Sequence, residues 1–296
     1  MQKYINPYTD FGFKKLFGEE ANKDLLIDFL NALLPDKHQI MSLSFKNPDM
    51  LGEVESDRRA VFDVYCEAMS GEKFIVEMQK AEQEYFKDRS VYYTAHPIRN
   101  QGQKGKWNYK LKTVYFIGIL DFVYDKNDPN PILIREVSLK DQHGKEFYEK
   151  LQMIYIQMPV FNKTESELEG RKDQWLYFLK NLPSLEHIPA ILKENVFQKA
   201  FHTAEIASMT EKDREFYEQN LDDYRTYLAT IETAENKGIR KGIKRGIKRG
   251  IRKGIEIGHA DEKTKIARNM KTIGIAPELI AEATGLSLEE IERMDD

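Results

Sequence analysis

The sequence is poor in cysteine and histidine, the residues that most often build disulfides and soft-metal sites. It has one cysteine, Cys66, and six widely scattered histidines among 296 residues. One thiol excludes a disulfide framework or a thiolate metal cage within a single chain. No two histidines lie four residues apart, the spacing typical of a zinc site on a helix. A reducing compartment, the cytoplasm, is therefore the expected location.

Long apolar runs are also missing. The most apolar stretch, residues 114–123, is about half as long as the ~20 residues that a membrane-spanning helix needs. The first 13 residues lack the basic and then apolar order of a signal peptide. We therefore expect a soluble protein without a membrane partner.

Acidic residues are absent from one stretch near the C-terminus. The whole chain has a formal net charge of -4, but without the nine basic residues of this stretch it has 36 basic and 49 acidic side chains, a balance of -13. Binding to a polyanion is therefore expected to be localised. The stretch consists of Lys237, Arg240, Lys241, Lys244, Arg245, Lys248, Arg249, Arg252 and Lys253.

The apolar patterns predict an α/β fold, with a mixed β-sheet core flanked by helices and an all-helical C-terminal region after it. Thr9 can cap a first helix, and helical apolar spacing continues from there to Pro35. Because a long helix separates the predicted strands, a crossover has to place them in one mixed sheet. The predicted elements are a β-hairpin at 61–69 and 73–80 with its turn at Gly71, a helix at 83–104, and strands at 114–124, 132–139 and 151–158.

Two carboxylates on the predicted hairpin are candidate metal ligands. Side chains alternate across a strand, so Glu77 and Gln79 point to one face while Met78 points to the other. Asp63 lies on the preceding strand, and the Gly71 turn can bring its carboxylate within a few ångströms of Glu77. Adjacent carboxylates repel each other unless a hard divalent cation lies between them, and magnesium is the natural candidate. Ordinary polar residues on a solvated strand face would show the same alternation.

The hairpin acids lie among four sequence blocks. The spacing of Asp63 and Glu77-Met78-Gln79 resembles the D...(D/E)-x-K signature of the PD-(D/E)XK nuclease superfamily. Together the blocks resemble the recombination-promoting nuclease and transposase family, over roughly residues 3–160. The resemblance implies a restriction-endonuclease-like fold. The blocks are TDFGFKKLFG at 9–18, RRAVFDVYC at 58–66, FIVEMQKAEQEYFKDRSVYY at 74–93 and GQKGKWNYKLKTVYFIGILDF at 102–122.

The resemblance also implies a metal-dependent DNA endonuclease that hydrolyses phosphodiester bonds in transposition or recombination. Mg2+, or Mn2+ in its place, would be held by Asp63, Glu77 and the Met78 carbonyl, and would activate a water and stabilise charge on the phosphate. Gln79 occupies the lysine position of the superfamily pattern, where it can orient a group but cannot supply a positive charge. Asp63, Glu77 and Gln79 are thus the catalytic candidates.

Two other residues have two interpretations each. Asp10, in the first helix, could add a carboxylate to the site, as first-helix acids do in related nucleases, or could be a surface residue near a helix start. Arg89 could contact a DNA phosphate, or could be a solvated or salt-bridged helix residue. The sequence leaves both questions open.

Residues 238–258 repeat a four-residue unit that begins with glycine and isoleucine. A period of four exceeds the 3.6 residues of a helical turn, so the isoleucines drift about 40° per repeat around a helix. The segment could wrap a partner helix and form a homo-oligomer, act as a flexible linker, or present cations to DNA phosphates. The candidate DNA-binding residues are Lys241, Lys244, Arg245, Lys248 and Arg249.

Residues 277–283 and 287–294 predict two short helices, with Ser287 and Glu290 placed as a capping box. A helix-turn-helix is one interpretation. However, the second helix is acidic and would repel phosphates in the major groove, so we favour a packing or self-association module.

The chain is therefore expected to have four parts. These are a nuclease-like domain at 1–160, a helical region at 161–235, the basic repeat as a helix or linker at 236–258, and a small helical module at 259–296. Two alternative functions remain. Gln79 favours a nuclease fold that has lost catalysis and serves DNA binding or regulation, and the glycine spacing favours a helical assembly protein.

Overall fold

A computed structural model describes residues 2–35, 39–47, 49–50, 60–125 and 127–294. Two compact units divide the chain, Met1–Thr226 and Tyr227–Asp296. The first contains the β-sheet and the helices around it, and the second is helical. Within the described residues, none of the helices combines the length and the apolar character needed to cross a bilayer.

The chain begins with two helices, α1 and α2, whose apolar faces are buried. The backbone N–H of Gly12 donates to Thr9 Oγ1 at 3.0 Å, so Thr9 caps α1 as predicted. Phe17 stacks on Phe29 with ring centroids 5.1 Å apart, which joins the two helices in the core. The helices span Asp10–Phe17 (α1) and Lys23–Leu33 (α2).

The predicted mixed sheet is confirmed. Within the described residues it has six strands in the order β1-β4-β5-β6-β8-β7, with β5-β6 and β6-β8 parallel and the other pairs antiparallel. A separate two-stranded ribbon pairs β2 with β3. The strands are β1 Leu43–Phe45, β2 Asp49–Met50, β3 Ala60–Val61, β4 Val64–Ala68, β5 Lys73–Gln79, β6 Val114–Leu120, β7 Ile134–Lys140 and β8 Glu146–Gln157.

The hairpin of β4 and β5 is confirmed, and it turns through Gly71 at a φ of 100°. The crossover from β5 to β6 contains helix α3, Phe86–Arg99. Several bounds differ from prediction. The helix predicted at 83–104 is shorter at both ends, and the strand predicted at 114–124 ends at Leu120. The first hairpin strand does not run from residue 61, because Ala60–Val61 pairs with β2 and β4 begins only at Val64. The last strand begins at Glu146 instead of 151, because it first pairs antiparallel with β7.

The first unit continues well beyond residue 160, because the helices after the sheet share its main core. Trp175 in α4 packs against Phe17, Phe29 and Phe197, and its indole N–H donates to Asp28 at 2.6 Å. Burial of these large rings stabilises this part of the core. The helices are α4 Gly170–Asn181 and α5 Asn195–Ala204.

The second unit contains most of a long helix, α6, followed by two short helices. The basic repeat is helical and lies within α6. A small core of Ala267, Ile280 and Ile291 joins the end of α6 to the short helices. Ser287 and Glu290 form the predicted capping box. The helices are α6 Glu211–Thr272, α7 Pro277–Thr284 and α8 Leu288–Glu292.

Candidate active site

Asp63 and Glu77 meet at one end of the β4–β5 hairpin. The antiparallel register pairs Val64 with Val76, so the residues just beyond this pair face each other. The backbone N–H of Asp63 donates to Glu77 Oε1 at 3.1 Å, and the N–H of Met78 donates to Asp63 Oδ2 at 2.7 Å. Each acid is therefore held by the backbone of the opposite strand.

Alternation along β5 places Glu77 and Gln79 on the sheet face covered by α3. Phe74 and Met78 enter the main core on the other face, while Ile75 joins a second cluster on the α3 face. Gln79 Nε2 donates to Glu77 Oε2 at 3.0 Å, and both side chains are buried, at 6% and 4% exposure. The predicted alternation along this strand is confirmed.

The two acids resist ionisation. Burial raises the pKa of Glu77 well above its usual value, and the nearby Asp63 carboxylate raises it further. Burial also raises the pKa of Asp63 to about 6, against the hydrogen bond from Met78, which lowers it. Two desolvated like charges are unfavourable without a counter-charge, and a cation between them would relieve both effects.

The donor set fits a hard divalent cation. Three protein hydrogen bonds reach the two carboxylates, which together offer about eight lone-pair sites, so coordination capacity remains. The N–H of Met78 points toward Asp63, and the carbonyl of a strand residue points to the same side as its N–H. Within the described residues no group of three or more His, Cys, Asp or Glu side chains could hold a metal. A cation here would therefore need the Met78 carbonyl and water as additional oxygen ligands.

Gln79 connects Glu77 to a positive charge. Arg89 lies in the first turn of α3. Its Nη2 donates to Gln79 Oε1, and its Nη1 donates to Gln83 Oε1 at 2.7 Å. The Arg89 charge lowers the pKa of Glu77. Lys80 has its ammonium 5.7 Å from the ring centroid of Tyr224, and its charge lowers the pKa of Asp63. The sequence left Arg89 as either a phosphate contact or a solvated or salt-bridged helix residue, and gave no sign of its link to Gln79.

Asp10 lies close enough to Asp63 for its charge to raise the Asp63 pKa. It is paired with Lys14 one helical turn away, at 2.9 Å, and its side chain is 44% exposed. Asp10 is therefore an electrostatic neighbour of the hairpin acids and is already neutralised by a lysine.

Asp121 is a further acid beside the site that sequence reasoning missed. It directly follows β6, and its backbone N–H donates to the Gln79 carbonyl at 2.9 Å. Tyr224 Oη donates to Asp121 Oδ2 at 3.3 Å, and burial raises the Asp121 pKa to about 6. The signal was its position after a buried strand, since β6 runs parallel to β5 and their carboxyl ends meet at one edge of the sheet.

The candidate DNA-binding residues of the repeat lie in the second unit and are exposed. The isoleucines between them are exposed as well, at 54–59% for Ile239, Ile243, Ile247, Ile251 and Ile255. A Cβ added at any glycine from Gly238 to Gly258 would meet nothing within 4 Å. The glycines are therefore not required by packing within the described chain. The candidates are Lys241, Lys244, Arg245, Lys248 and Arg249.

Comparison with known families agrees with this fold. Residues 7–234 match a family described as PD-(D/E)XK nuclease family transposase. The match spans the sheet, the hairpin acids and α3, and it extends beyond the region of resemblance predicted from sequence blocks. No match was found among curated proteins or solved structures.

Proposed function

Because this chain belongs to the PD-(D/E)XK nuclease family transposases, we propose that it is a divalent-metal-dependent DNA endonuclease acting in transposition or recombination. The observation that carries the proposal is the pair formed by the half-buried Asp63 and the buried Glu77, whose pKa values are both raised because two desolvated carboxylates lie together. Such perturbed acids cluster at functional sites. The free, buried thiol of Cys66 favours the cytoplasm as the place of action.

In this proposal Asp63, Glu77 and the Met78 carbonyl would hold Mg2+ or Mn2+, which would supply Lewis-acid stabilisation of the charge on the scissile phosphodiester. The protein orients the ligands. The Asp63 N–H and the Gln79 amide fix the two oxygens of Glu77, and the Met78 N–H fixes one oxygen of Asp63. Ligands fixed in this way need little reorganisation when substrate binds.

Arg89 fills the electrostatic role of the lysine that Gln79 replaces. Its guanidinium lies one hydrogen bond beyond Gln79, so a positive charge stands near Glu77 although β5 itself carries none there. The positive charge of Arg89 would offset the negative charge of the scissile phosphate. Gln79, hydrogen-bonded to both residues, holds Glu77 in a fixed position relative to Arg89. We therefore assign Gln79 as a positioning residue, and Asp10 as a residue that tunes Asp63 through its charge.

Two other functions are supported by specific observations. Gln79 is a neutral amide where the superfamily pattern has a lysine, and it is hydrogen-bonded to Glu77 and Arg89, so it offers no ammonium group to a nucleophile. This favours a nuclease fold that binds DNA without cutting it. The exposed isoleucines of α6 favour self-association through the repeat.

We propose that the two units have separate functions. The first unit contains the candidate active site, and the lysines and arginines of the basic repeat in the second unit contact DNA phosphates.

Incubation of purified protein with supercoiled plasmid and Mg2+ tests the proposal. We expect cleavage that is abolished by chelation and by Asp63→Asn, and retained in Asp222→Asn, whose side chain is 77% exposed. DNA binding without cleavage in the unaltered protein would support the non-cutting alternative. Cleavage that survives Asp63→Asn would contradict the assignment of the site.

A further inference from the structure

The segment that joins α3 to β6, residues 101–112, is basic and aromatic. None of its residues belongs to a buried hydrophobic cluster. We call it the aromatic loop. No acidic residue occurs from Arg89 to Leu120, while the loop alone contributes four lysines, a tryptophan and a tyrosine. The proposed catalytic site uses none of them. They are Lys104, Lys106, Trp107, Tyr109, Lys110 and Lys112.

The base of the aromatic loop is fixed by hydrogen bonds. The backbone N–H of Lys112 donates to Gln101 Oε1 at 2.6 Å, and Gln101 Nε2 donates back to the Lys112 carbonyl at 3.3 Å. Lys112 Nζ also donates to the Ser70 carbonyl at 2.6 Å, which ties the loop to the turn of the β4–β5 hairpin. These hydrogen bonds therefore fix the two ends of the aromatic loop, and the tip extends from them.

The tip of the loop carries two aromatic rings, the half-buried Trp107 and the exposed Tyr109. Trp107 and Tyr109 have ring centroids 4.7 Å apart and an interplanar angle of 36°, and Tyr109 is 77% exposed. Among the described residues Tyr109 alone combines a side chain with a positive φ, at 58°. That backbone conformation is unfavourable for a bulky residue and tends to occur at functional sites. Packing does not explain it here, since the Tyr109 ring faces solvent.

The lysines around these rings lack counter-charges. Lys104, Lys106 and Lys110 are exposed, and within the part of the chain that the structure describes they form no ion pair. The loop thus combines free ammonium groups with open aromatic faces. Exposed rings flanked by cations are the combination that binds single-stranded nucleic acid, since bases stack on the rings and phosphates contact the cations.

We propose that the aromatic loop binds an unpaired stretch of DNA, with a base stacked on Tyr109 and Trp107 and with phosphates contacting Lys104, Lys106 and Lys110. An unpaired strand is favoured over a duplex because both faces of a paired base are already covered by its stacked neighbours. The inference rests on the proposed function for the choice of DNA. It deepens that function by naming DNA with unpaired bases as the substrate class.

The position of the loop fits a strand that also reaches the hairpin acids. Arg89 and Arg99 lie ten residues apart along α3, which is about 15 Å of helix. A stacked strand advances about 3.4 Å per nucleotide, so roughly five nucleotides would span that distance. An unpaired stretch of this length next to a cleavable bond would contact both regions.

Tryptophan fluorescence tests the proposal directly, because the chain has two tryptophans and Trp175 is fully buried in the core. Full-length Asp63→Asn protein, in EDTA, would be titrated with a dT12 oligonucleotide, a blunt 12-base-pair duplex and rU12. We expect saturable quenching with dT12, at lower concentration than with the duplex or rU12. Absence of quenching by dT12, or quenching by the duplex or rU12 at concentrations as low as with dT12, would overturn the proposal.

Substitution of the loop supplies the second arm. We expect Tyr109→Ala to weaken dT12 binding roughly tenfold. Replacing Lys104, Lys106 and Lys110 with Gln should also reduce the dependence of log affinity on log salt by about 2, since each phosphate contact on a single strand contributes roughly 0.7. The matched control replaces the exposed Lys140, Lys145 and Lys193 with Gln. An equal loss in the control would overturn the assignment to the loop.

The result is separable from that of the proposed function. Binding is measured without metal and in a protein that cannot use Asp63, so a protein that binds dT12 through the loop but never cleaves DNA would refute only the nuclease proposal. A protein that cleaves plasmid but is unaffected by the loop substitutions would refute only the inference about the loop.

Discussion

Burial and mutual repulsion act on the same two side chains, Asp63 and Glu77. The protein holds them in place with backbone N–H groups, which favour the charged forms, yet burial outweighs those hydrogen bonds and both pKa values rise. Two adjacent carboxylates destabilise the metal-free protein. We expect such a pair where a bound cation supplies the compensating positive charge. The alternation of β5 and the position of Asp63 fit ordinary surface residues equally well, so the pair could be predicted only because the four sequence blocks around it resemble the nuclease family.

The stability of the metal-free protein should fall as pH rises. Below about pH 4 the acids are protonated in both the folded and the unfolded protein, so folding changes no charge there. Because the folded pKa of Asp63 is about 6, the unfolded chain loses its proton first, and stability decreases between about pH 4 and 6 and stays low above that range. We expect Asp63→Asn to be more stable than the unaltered protein at pH 7 by roughly 2–3 kcal/mol.

Urea denaturation in EDTA and then in Mg2+ provides the measurement. Mg2+ should stabilise the unaltered protein at pH 7 by mass action and leave Asp63→Asn nearly unchanged. An Asp63→Asn protein that is less stable than the unaltered one at pH 7, or that gains as much from Mg2+, would contradict this account of the pair.

Arg89 is expected to matter through Gln79 and Glu77. In Arg89→Ala the Gln79 carbonyl oxygen loses its donor and Glu77 loses a nearby positive charge, so the Glu77 pKa should rise further. We expect cleavage to fall roughly 10- to 100-fold and the pH–rate profile to shift to higher pH. Lys87→Ala, an exposed cation of the same helix, serves as the control. An unshifted profile in Arg89→Ala would remove this role.

Two residues beside the hairpin acids show the limit of prediction from sequence. Arg89 reaches Gln79 because α3 packs on the sheet face that carries Glu77, and Asp121 reaches the same edge because β6 is the neighbour of β5. Neither relation follows from local spacing, since both depend on strand order and on helix docking. The alternation of a strand is local, so the Glu77 and Gln79 pair was predictable.

At the scale of the element, the hairpin depends on the conformation of its turn. Gly71 has a φ of 100°, and a Cβ at that position would lie 3.1 Å from the Lys112 side chain. We expect Gly71→Ala to lower the free energy of unfolding by roughly 1–2 kcal/mol, measured by urea denaturation, because a side chain is strained at this φ.

Gly144→Ala is the matched control for the turn. Gly144 has a φ of 77°, and a Cβ there would meet nothing within 4 Å, so its substitution carries the backbone strain without the contact. Equal losses at the two positions would show that strain alone explains the effect. A stable Gly71→Ala protein would contradict the description of the turn.

The basic repeat of α6 gives a second prediction at this scale. Alanine has a higher helix propensity than glycine by roughly 1 kcal/mol, and open space surrounds the repeat glycines. Replacing Gly242, Gly246 and Gly250 with Ala should therefore raise helix content and the melting temperature measured by circular dichroism. A lower melting temperature, accompanied by loss of an oligomer in sedimentation, would instead show that the glycines permit close approach of a partner helix.

At the scale of the whole molecule, the two units differ in how far the sequence predicts them. The mixed sheet was predictable because hydrophobic periodicity and the resemblance agreed. The inclusion of α4 and α5 in the first core was not, since their aromatic residues, such as Trp175, could equally have formed a separate helical domain. The family match, which extends to residue 234, is consistent with the larger unit.

A crystal of the full-length protein soaked in Mn2+ tests the central claim most directly. The account predicts an anomalous density peak between the carboxylates of Asp63 and Glu77, within about 2.0–2.6 Å of an oxygen from each, and no peak there in Asp63→Asn crystals. Carboxylates that stay without manganese at saturating concentration, or a peak that persists without the Asp63 carboxylate, would contradict it.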